Sequence, residues 1–306
     1  MISGVGVDVG GTRLKFGRVS AGRVEQRAVL SLEAGDRTPD ALIRLLAQGV
    51  AAVAADPAAL HGVGLGIAGV LSADGRRVLQ SPNLPWLDGH ALPDALEAAL
   101  GVPVWADNDA NCVGWGEARA GAGRGESRQI CLALGTGTGG SLVLDDRLIR
   151  GDRGRGAELG HLAVDPDGPP CGCGGRGCLE QYASQTGLCR ILRAWGEPVA
   201  SPDAAVRAIF ARPEEPAHAA AIRAAGGALG RAVAHLHALF DVDCFVFAGG
   251  IAASLALLEP SLLDAVADAG VTPASLSLRQ GSLGVDAGTI GAAALADAPR
   301  SGQTAR

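Results

Sequence analysis

The chain has 306 residues, 48% of them hydrophobic and 19% charged, and a formal net charge of -6. That length supports two domains with cores of their own, and an acidic balance without a long basic run argues against a nucleic-acid partner. The longest uncharged stretches, such as 57–73, are broken by Gly and Pro, so no membrane span is expected. The opening MISG has no basic region ahead of an apolar run, so no signal peptide is expected either. Cys112, Cys131, Cys189 and Cys244 stand alone in apolar surroundings. They read as buried free thiols, which suits a reducing cytoplasm.

In chain order, residues 4–19 (GVGVDVGGTRLKFGRV) read as strand, tight glycine turn and strand, with Asp8 near the end of the first arm. A third strand is expected at 23–32. Thr38-Pro39 then supplies an N-cap and a first-turn proline for a helix carrying Leu42, Leu46, Val50 and Val53. Residues 62–70 (GVGLGIAGV) form a buried strand, SPNLPW at 81–86 a loop, and Leu92, Leu96 and Leu100 a short helix. A strand at 102–105 runs into Asp107-Asn108-Asp109-Ala110-Asn111, ahead of a further helix. The pattern then restarts: 130–145 (ICLALGTGTGGSLVLD) repeats the strand, glycine turn and strand, which reads as an internal duplication. Later come a helix opened by Ser201-Pro202-Asp203, a longer one through Ile222, Leu229, Val233, Leu236 and Leu239, a buried strand at 243–248 ending in Gly249-Gly250, and helices at 260–269 and 286–298. The polar tail at 300–306 is expected to be disordered. Hairpins mixed with strand–helix units indicate an α/β layer fold.

Residues 156–180 (GAELGHLAVDPDGPPCGCGGRGCLE) collect His161, Cys171, Cys173 and Cys178, with Glu158 and Glu180 at the two ends. Cysteines joined by glycine, with a histidine upstream, make a closed tetrahedral site for a structural Zn2+. A disulfide is the alternative for the same thiols.

Glycine-rich turns after strands can cradle phosphate with bare backbone N–H groups. Two such turns, each with threonine, are paired by the duplication: Gly10-Gly11-Thr12 and Gly135-Thr136-Gly137-Thr138-Gly139-Gly140. Neither is a dinucleotide fingerprint or a Walker loop. Facing each other across a cleft they would hold a triphosphate, and Asp8 would hold Mg2+ through water. Asp109 follows a strand, where α/β sheets place ligands, and can accept the proton of an attacking hydroxyl. The plainer reading is that Asp107, Asn108 or Asp109 only caps the next helix.

These motifs together resemble the ROK sugar kinases over roughly residues 4–297: DVGGT at 8–12, NDAN at 108–111, GTGTGG at 135–140, GAELGH at 156–161, CGCGGRGCLE at 171–180 and AGG at 248–250. Within the family the bacterial glucokinases are most similar, on PNLPW at 82–86 and CLEQYAS at 178–184. The resemblance implies an actin-like, hexokinase-type ATPase fold, with two lobes around a central cleft and a structural zinc motif. The lobes are expected at 1–107 plus 286–306 and at 108–285. It implies ATP-dependent phosphorylation of a hexose 6-hydroxyl, glucose first, with Asp109 as general base. Gly69, Asn83, Asn108, Glu158, His161 and Glu180 would bind the sugar. His161 would reach zinc through its other ring nitrogen. Asp8, Gly10, Gly11, Thr12, Lys15, Gly135, Thr136, Gly137 and Thr138 would serve the nucleotide phosphates, and Gly249 and Gly250 the adenosine. A homodimer or homotetramer is implied.

Three departures matter. Arg13 stands where the family usually has lysine, with Lys15 two residues on. Ala68 replaces the usual proline before Gly69, which would loosen the sugar loop. No DNA-binding segment precedes Asp8, so a sugar-sensing regulator is the weaker reading. N-acetylhexosamine, manno- and fructokinases are the nearer competitors, and polyphosphate is the alternative donor.

Overall fold

The computed structural model describes residues 2–54 and 60–297; the tail expectation at 300–306 lies outside them. Strands β1 (Ser3–Val9), β2 (Arg13–Ser20) and β3 (Arg23–Ser31) form an antiparallel meander. Helix α1 (Pro39–Val53) follows, its first turn closed by Thr38 Oγ1 accepting from the Ala41 N–H. Next come β4 (Val63–Ile67), the small hairpin β5 (Val70–Leu71) and β6 (Val78–Gln80), α2 (Leu92–Leu100), β7 (Val104–Asn108) and α3 (Asp109–Ala120). The second series is β8 (Gln129–Leu134), β9 (Thr138–Leu144), β10 (Arg147–Leu148), α4 (Glu180–Ala183), α5 (Gln185–Ala194), α6 (Pro202–Ala211), α7 (Pro216–Phe240), β11 (Cys244–Ala248), α8 (Leu255–Asp268), β12 (Ser277–Gln280) and α9 (Ala287–Ala293).

The duplication appears as topology. One sheet has the order β3-β2-β1-β4-β7 and the other β10-β9-β8-β11-β12, so each series lays down its strands in the same spatial arrangement. The chain divides into two compact units: Met1–Ser127, Ser141–Ala157 and Ser282–Arg306 make one, and Arg128–Gly140 with Glu158–Gly281 the other. The sequence places the lobe boundary at residue 108, whereas this division keeps α3 in the first unit. The reason is packing: a Cβ on Gly291 would lie 1.6 Å from the Cys112 carbonyl oxygen and one on Gly116 2.4 Å from that of Ala287, so α3 and α9 touch backbone to backbone.

In the first unit the alternation of β1 and β4 separates two faces. Val5, Val7, Val9, Val63, Leu65 and Ile67 join Leu42, Leu46, Val50, Leu92 and Leu96 in one core. Gly17, Gly6 and Gly64 are register partners in one row across β2, β1 and β4. A Cβ on Gly6 would lie 1.9 Å from the Thr289 carbonyl oxygen, and one on Gly64 1.7 Å from that of Ala292. The small residues between the valines are therefore the bed on which α9 lies.

In the second unit β11 is wholly buried, with Phe245 and Phe247 in its core. Helices α7 and α8 approach closely at Gly226 and Gly230, beneath the Leu258 and Leu262 carbonyls. Helix α8 begins five residues before the expected start, and Pro260 lies inside it. Burial of Leu255 and Leu258 offsets the one intrahelical bond that proline forgoes. The short strands β10 and β12 carry no sequence pattern long enough to reveal them. Among the described residues, no helix is long and apolar enough to cross a membrane. Cys112, Cys131, Cys189 and Cys244 are buried and unbridged, as expected.

Candidate active site and metal centre

The expected site residues fall into two groups, one in each unit. The first unit carries Asp8, Gly10, Gly11, Thr12, Lys15, Gly69, Asn83, Asn108 and Asp109; the second carries the rest.

In the first unit, register fixes the site. Lys15, Asp8, Gly66 and Asp107 form one row across β2, β1, β4 and β7, and the next row ends in Ile67 and Asn108. These are the carboxyl ends of three parallel strands, where α/β sheets put ligands. The Gly10 N–H closes the first glycine turn on the Arg13 carbonyl at 3.0 Å. Asp8 accepts from the Lys15 ammonium at 2.8 Å through one carboxylate oxygen.

The NDAN turn divides its labour. Asn108 caps α3, its Oδ1 accepting from the N–H groups of Ala110 (2.9 Å) and Asn111 (3.2 Å), while its Nδ2 donates to the Gly69 carbonyl at 3.0 Å. Capping thus falls chiefly to the asparagine. Asp109 begins the helix half-buried, with Oδ1 accepting from the Ala110 N–H. Asp107 is buried, its Oδ1 accepting from the Asn108 N–H and Asn111 Nδ2, both at 2.8 Å, and its Oδ2 from Arg150 Nε at 2.5 Å. Behind the turn, burial pushes the Cys112 thiol well up, and the charges of Asp107, Asp109 and Asp8 push the same way.

The expected sugar loops also meet here. Gly69 has φ +151°, and a Cβ on it would lie 2.4 Å from the Gln80 carbonyl oxygen. Buried Ser81 donates its hydroxyl to the Ala68 carbonyl at 2.6 Å and accepts from the Leu84 N–H at 3.2 Å. Those bonds tether the segment that loss of the proline would loosen. Asn83 is exposed, and a Cβ on Gly11 would meet its side chain at 3.3 Å, so the glycine turn and the Asn83 loop adjoin.

In the second unit, the turn between β8 and β9 is held from behind by α5. The Gln185 N–H donates to the Gly135 carbonyl, and Thr186 Oγ1 donates to the Thr136 carbonyl at 3.1 Å. Gly249 follows β11 at φ +91°, and a Cβ there would lie 2.4 Å from the Leu134 carbonyl oxygen, so Gly249-Gly250 lies beside the same turn. Glu180 accepts from the Thr138 N–H at 3.0 Å. The resemblance implies a sugar contact for Glu180; in the structure one of its oxygens also braces the phosphate-type turn.

His161, Cys171, Cys173 and Cys178 offer ligand atoms that all lie within 4.8 Å of one another. Cys171 Sγ is 3.7 Å from His161 Nδ1 and Cys173 Sγ 3.6 Å from Cys178 Sγ. A tetrahedral zinc with Zn–S of about 2.3 Å requires S–S edges of about 3.8 Å, so the donor set fits the ion. The thiols are free, which removes the disulfide reading. The Gly175 N–H and the neighbouring thiols lower the Cys173 thiol, while burial pushes Cys178 up to about 12. The knot is tied to its surroundings by the Tyr182 hydroxyl donating to Asp165 at 2.6 Å and Arg231 Nε donating to the Val164 carbonyl at 2.8 Å. Glu158 is exposed and follows Ala157, whose φ of 60° is a conformation that side chains with a Cβ rarely adopt.

Sequence patterns do not pick out Asp107, Arg150 or Ser81 as site residues. Asp107 is visible beside Asp109, but its partner Arg150 lies 43 residues away, and no periodicity links them.

The ROK family model matches residues 4–298. A glucokinase of Streptomyces coelicolor is 34% identical over 266 residues, covering 81% of each chain. One of Thermotoga maritima is 35% identical over 309 residues, covering 95% of this chain and 96% of its own. An N-acetylmannosamine kinase of Salmonella arizonae is 31% identical over 293 residues, covering 95% and 97%. Among solved structures, a ROK hexokinase from Thermus thermophilus superposes with TM-score 0.80 at 32% identity, covering 95% and 96%. A ROK glucokinase from Streptomyces griseus, solved with glucose and AMPPNP, gives 0.78 at 32%, covering 96% and 98%.

Proposed function

The chain belongs to the ROK family, and from that premise we infer a sugar kinase of the hexokinase type, with an actin-like α/β fold, ATP as donor and glucose as its first acceptor. One observation carries the catalytic assignment. Asp109 stands at the carboxyl end of β7, while its neighbours take the structural duties: Asn108 supplies the helix cap and Asp107 the ion pair with Arg150. The acid at the ligand-binding end of the sheet is half-buried and directly follows the Asn108 amide that ties down Gly69.

In the reaction, Asp109 accepts the proton of the 6-hydroxyl as that oxygen attacks the γ-phosphorus. The bond from the γ-phosphorus to the bridging oxygen breaks and ADP leaves. Backbone N–H groups of Gly11, Thr12, Thr136 and Gly137 bind the phosphates, while those of Gly10, Gly135 and Thr138 close the two turns, with Gly249 and Gly250 against the adenosine. Asp8, through the carboxylate oxygen not facing Lys15, would hold Mg2+ by way of water; bound Mg2+ supplies neutralisation of phosphate charge. Glucose is neutral, so it is recognised by hydrogen bonds. Glu158 and the second oxygen of Glu180 accept from hydroxyls, Asn108 offers its remaining amide N–H, His161 offers Nε2, and Gly69 and Asn83 shape the loops. His161, Cys171, Cys173 and Cys178 would hold a structural Zn2+ through Nδ1 and three thiolates, which also fixes the histidine tautomer. A dimer or tetramer in a reducing cytoplasm accords with this reading.

The test is a coupled assay over glucose, mannose, fructose, N-acetylglucosamine and N-acetylmannosamine, each with ATP and with polyphosphate. Glucose with ATP should give the highest kcat/KM; a higher value for N-acetylmannosamine would reassign the substrate. Asp109→Asn should lower kcat by about 10³-fold or more, a loss in the range of a general base together with its orientation, with glucose still bound. Retained turnover would remove Asp109 as base.

A further inference from the structure

We propose that the buried Asp107–Arg150 pair is the device that holds Asp109 in the orientation needed for proton abstraction; the proposal rests on Asp109 being the base. The side chains of Asp107 and Arg150 are 6% and 16% exposed and meet at 2.5 Å. A buried ion pair is weak as a source of stability, because desolvation cancels most of its attraction. What this pair does is seen in where its other bonds go. Asp107 Oδ1 accepts from the Asn108 N–H and from Asn111 Nδ2, the residues on either side of Asp109 and Ala110. Asn108, so held, caps α3 and ties down Gly69. The Asp109 backbone is thus fixed from both flanks by one carboxylate.

Asn111 is held for that purpose at a cost. Its Oδ1 is buried and has no hydrogen-bond partner among the described residues, a penalty the fold accepts while Nδ2 stays on Asp107. Arg150 in turn is fixed by the loop it opens, since its carbonyl accepts from the Gly156 N–H at 2.8 Å. Asp107 and Arg150 are positioning residues in this account; neither need touch sugar or ATP.

The experiment removes the pair without leaving a buried charge. In the double variant Asp107→Leu/Arg150→Met, kcat should fall by about 100-fold, the scale of a small misplacement of a reacting group. KM for ATP should stay within about threefold, and KM for glucose, which Asn108 and Gly69 also serve, should rise by no more than about tenfold. Near-UV circular dichroism and glucose binding by calorimetry report whether the variant is folded. In parallel, Arg150→Lys retains the charge but not the planar Nε–H direction, and should lose about tenfold in kcat. A kcat within threefold of the parent in the folded double variant, or in Arg150→Lys if the double variant does not fold, overturns the proposal. So does a rise in KM that matches the fall in kcat. Asp109→Asn run alongside separates the two readings: if it is inactive while the pair variants are normal, only the positioning role fails. If Asp109→Asn turns over normally, the base assignment fails first.

Discussion

Asp107, Asn108 and Asp109 show how little a residue type says without its partners. All three can cap a helix, and the sequence cannot divide cap, structural acid and base among them. Their surroundings make the division: Arg150 claims Asp107, two backbone N–H groups claim Asn108, and Asp109 takes the strand end where a ligand is expected. Gly69 is the complementary case, a residue defined by what cannot be there. A Cβ would sit 2.4 Å from the Gln80 carbonyl oxygen at a φ of +151°, so Gly69→Ala must shift the loop whose carbonyl Asn108 grips. We expect it to raise KM for glucose by about tenfold or more, corresponding to at least about 1.4 kcal/mol of lost sugar interaction, with KM for ATP little changed. Steady-state kinetics against both substrates checks this. An equal rise in both would mean that Gly69 serves the fold at large.

Among the elements, the glycine row beneath α9 explains the alternation of valine and small residues in β1 and β4. Gly64→Ala would drive a Cβ into the Ala292 backbone at 1.7 Å. Overpacking of that kind costs about 3 kcal/mol, and urea unfolding should find it even though Gly64 is assigned no ligand. The Cys3His knot is an element built by ligand spacing, not by propensity. Its Cys173 is exposed while Cys171 and Cys178 are buried. A bound metal would engage the lone pair of each thiolate, so iodoacetamide should leave the metal-loaded protein unlabelled in the knot. After chelation Cys173 should be modified ahead of Cys171 and Cys178, as read by peptide mass spectrometry. Equal labelling with and without chelator would mean that no metal protects these thiols.

For the molecule as a whole, binding and stability are linked. A ligand present at 100 times its Kd stabilises the native state by about 2.7 kcal/mol, so glucose alone should raise the thermal midpoint. Because His161 is assigned both to the ion and to the sugar, metal-free protein should lose most of the glucose-induced rise and keep the rise given by ATP. Paired melts with and without chelator measure both. A metal-free protein that glucose stabilises fully would uncouple the knot from sugar binding while leaving the kinase reading in place.

The chemistry of this chain is legible from its residues alone. Short-range signals suffice for the repeated strand–glycine–strand pattern, the Cys and His spacing of the knot and the acid after β7, because each depends on residues close along the chain. Motif order then points to the ROK kinases. Which polar groups are occupied emerges only on folding. Asp107 with Arg150, Glu180 with the Thr138 N–H, Ser81 with the Ala68 carbonyl and α9 on its glycine row all join residues distant in sequence. Such pairings are selected by burial, where a polar group or a backbone must find its partner or suffer desolvation, and no local pattern records the choice.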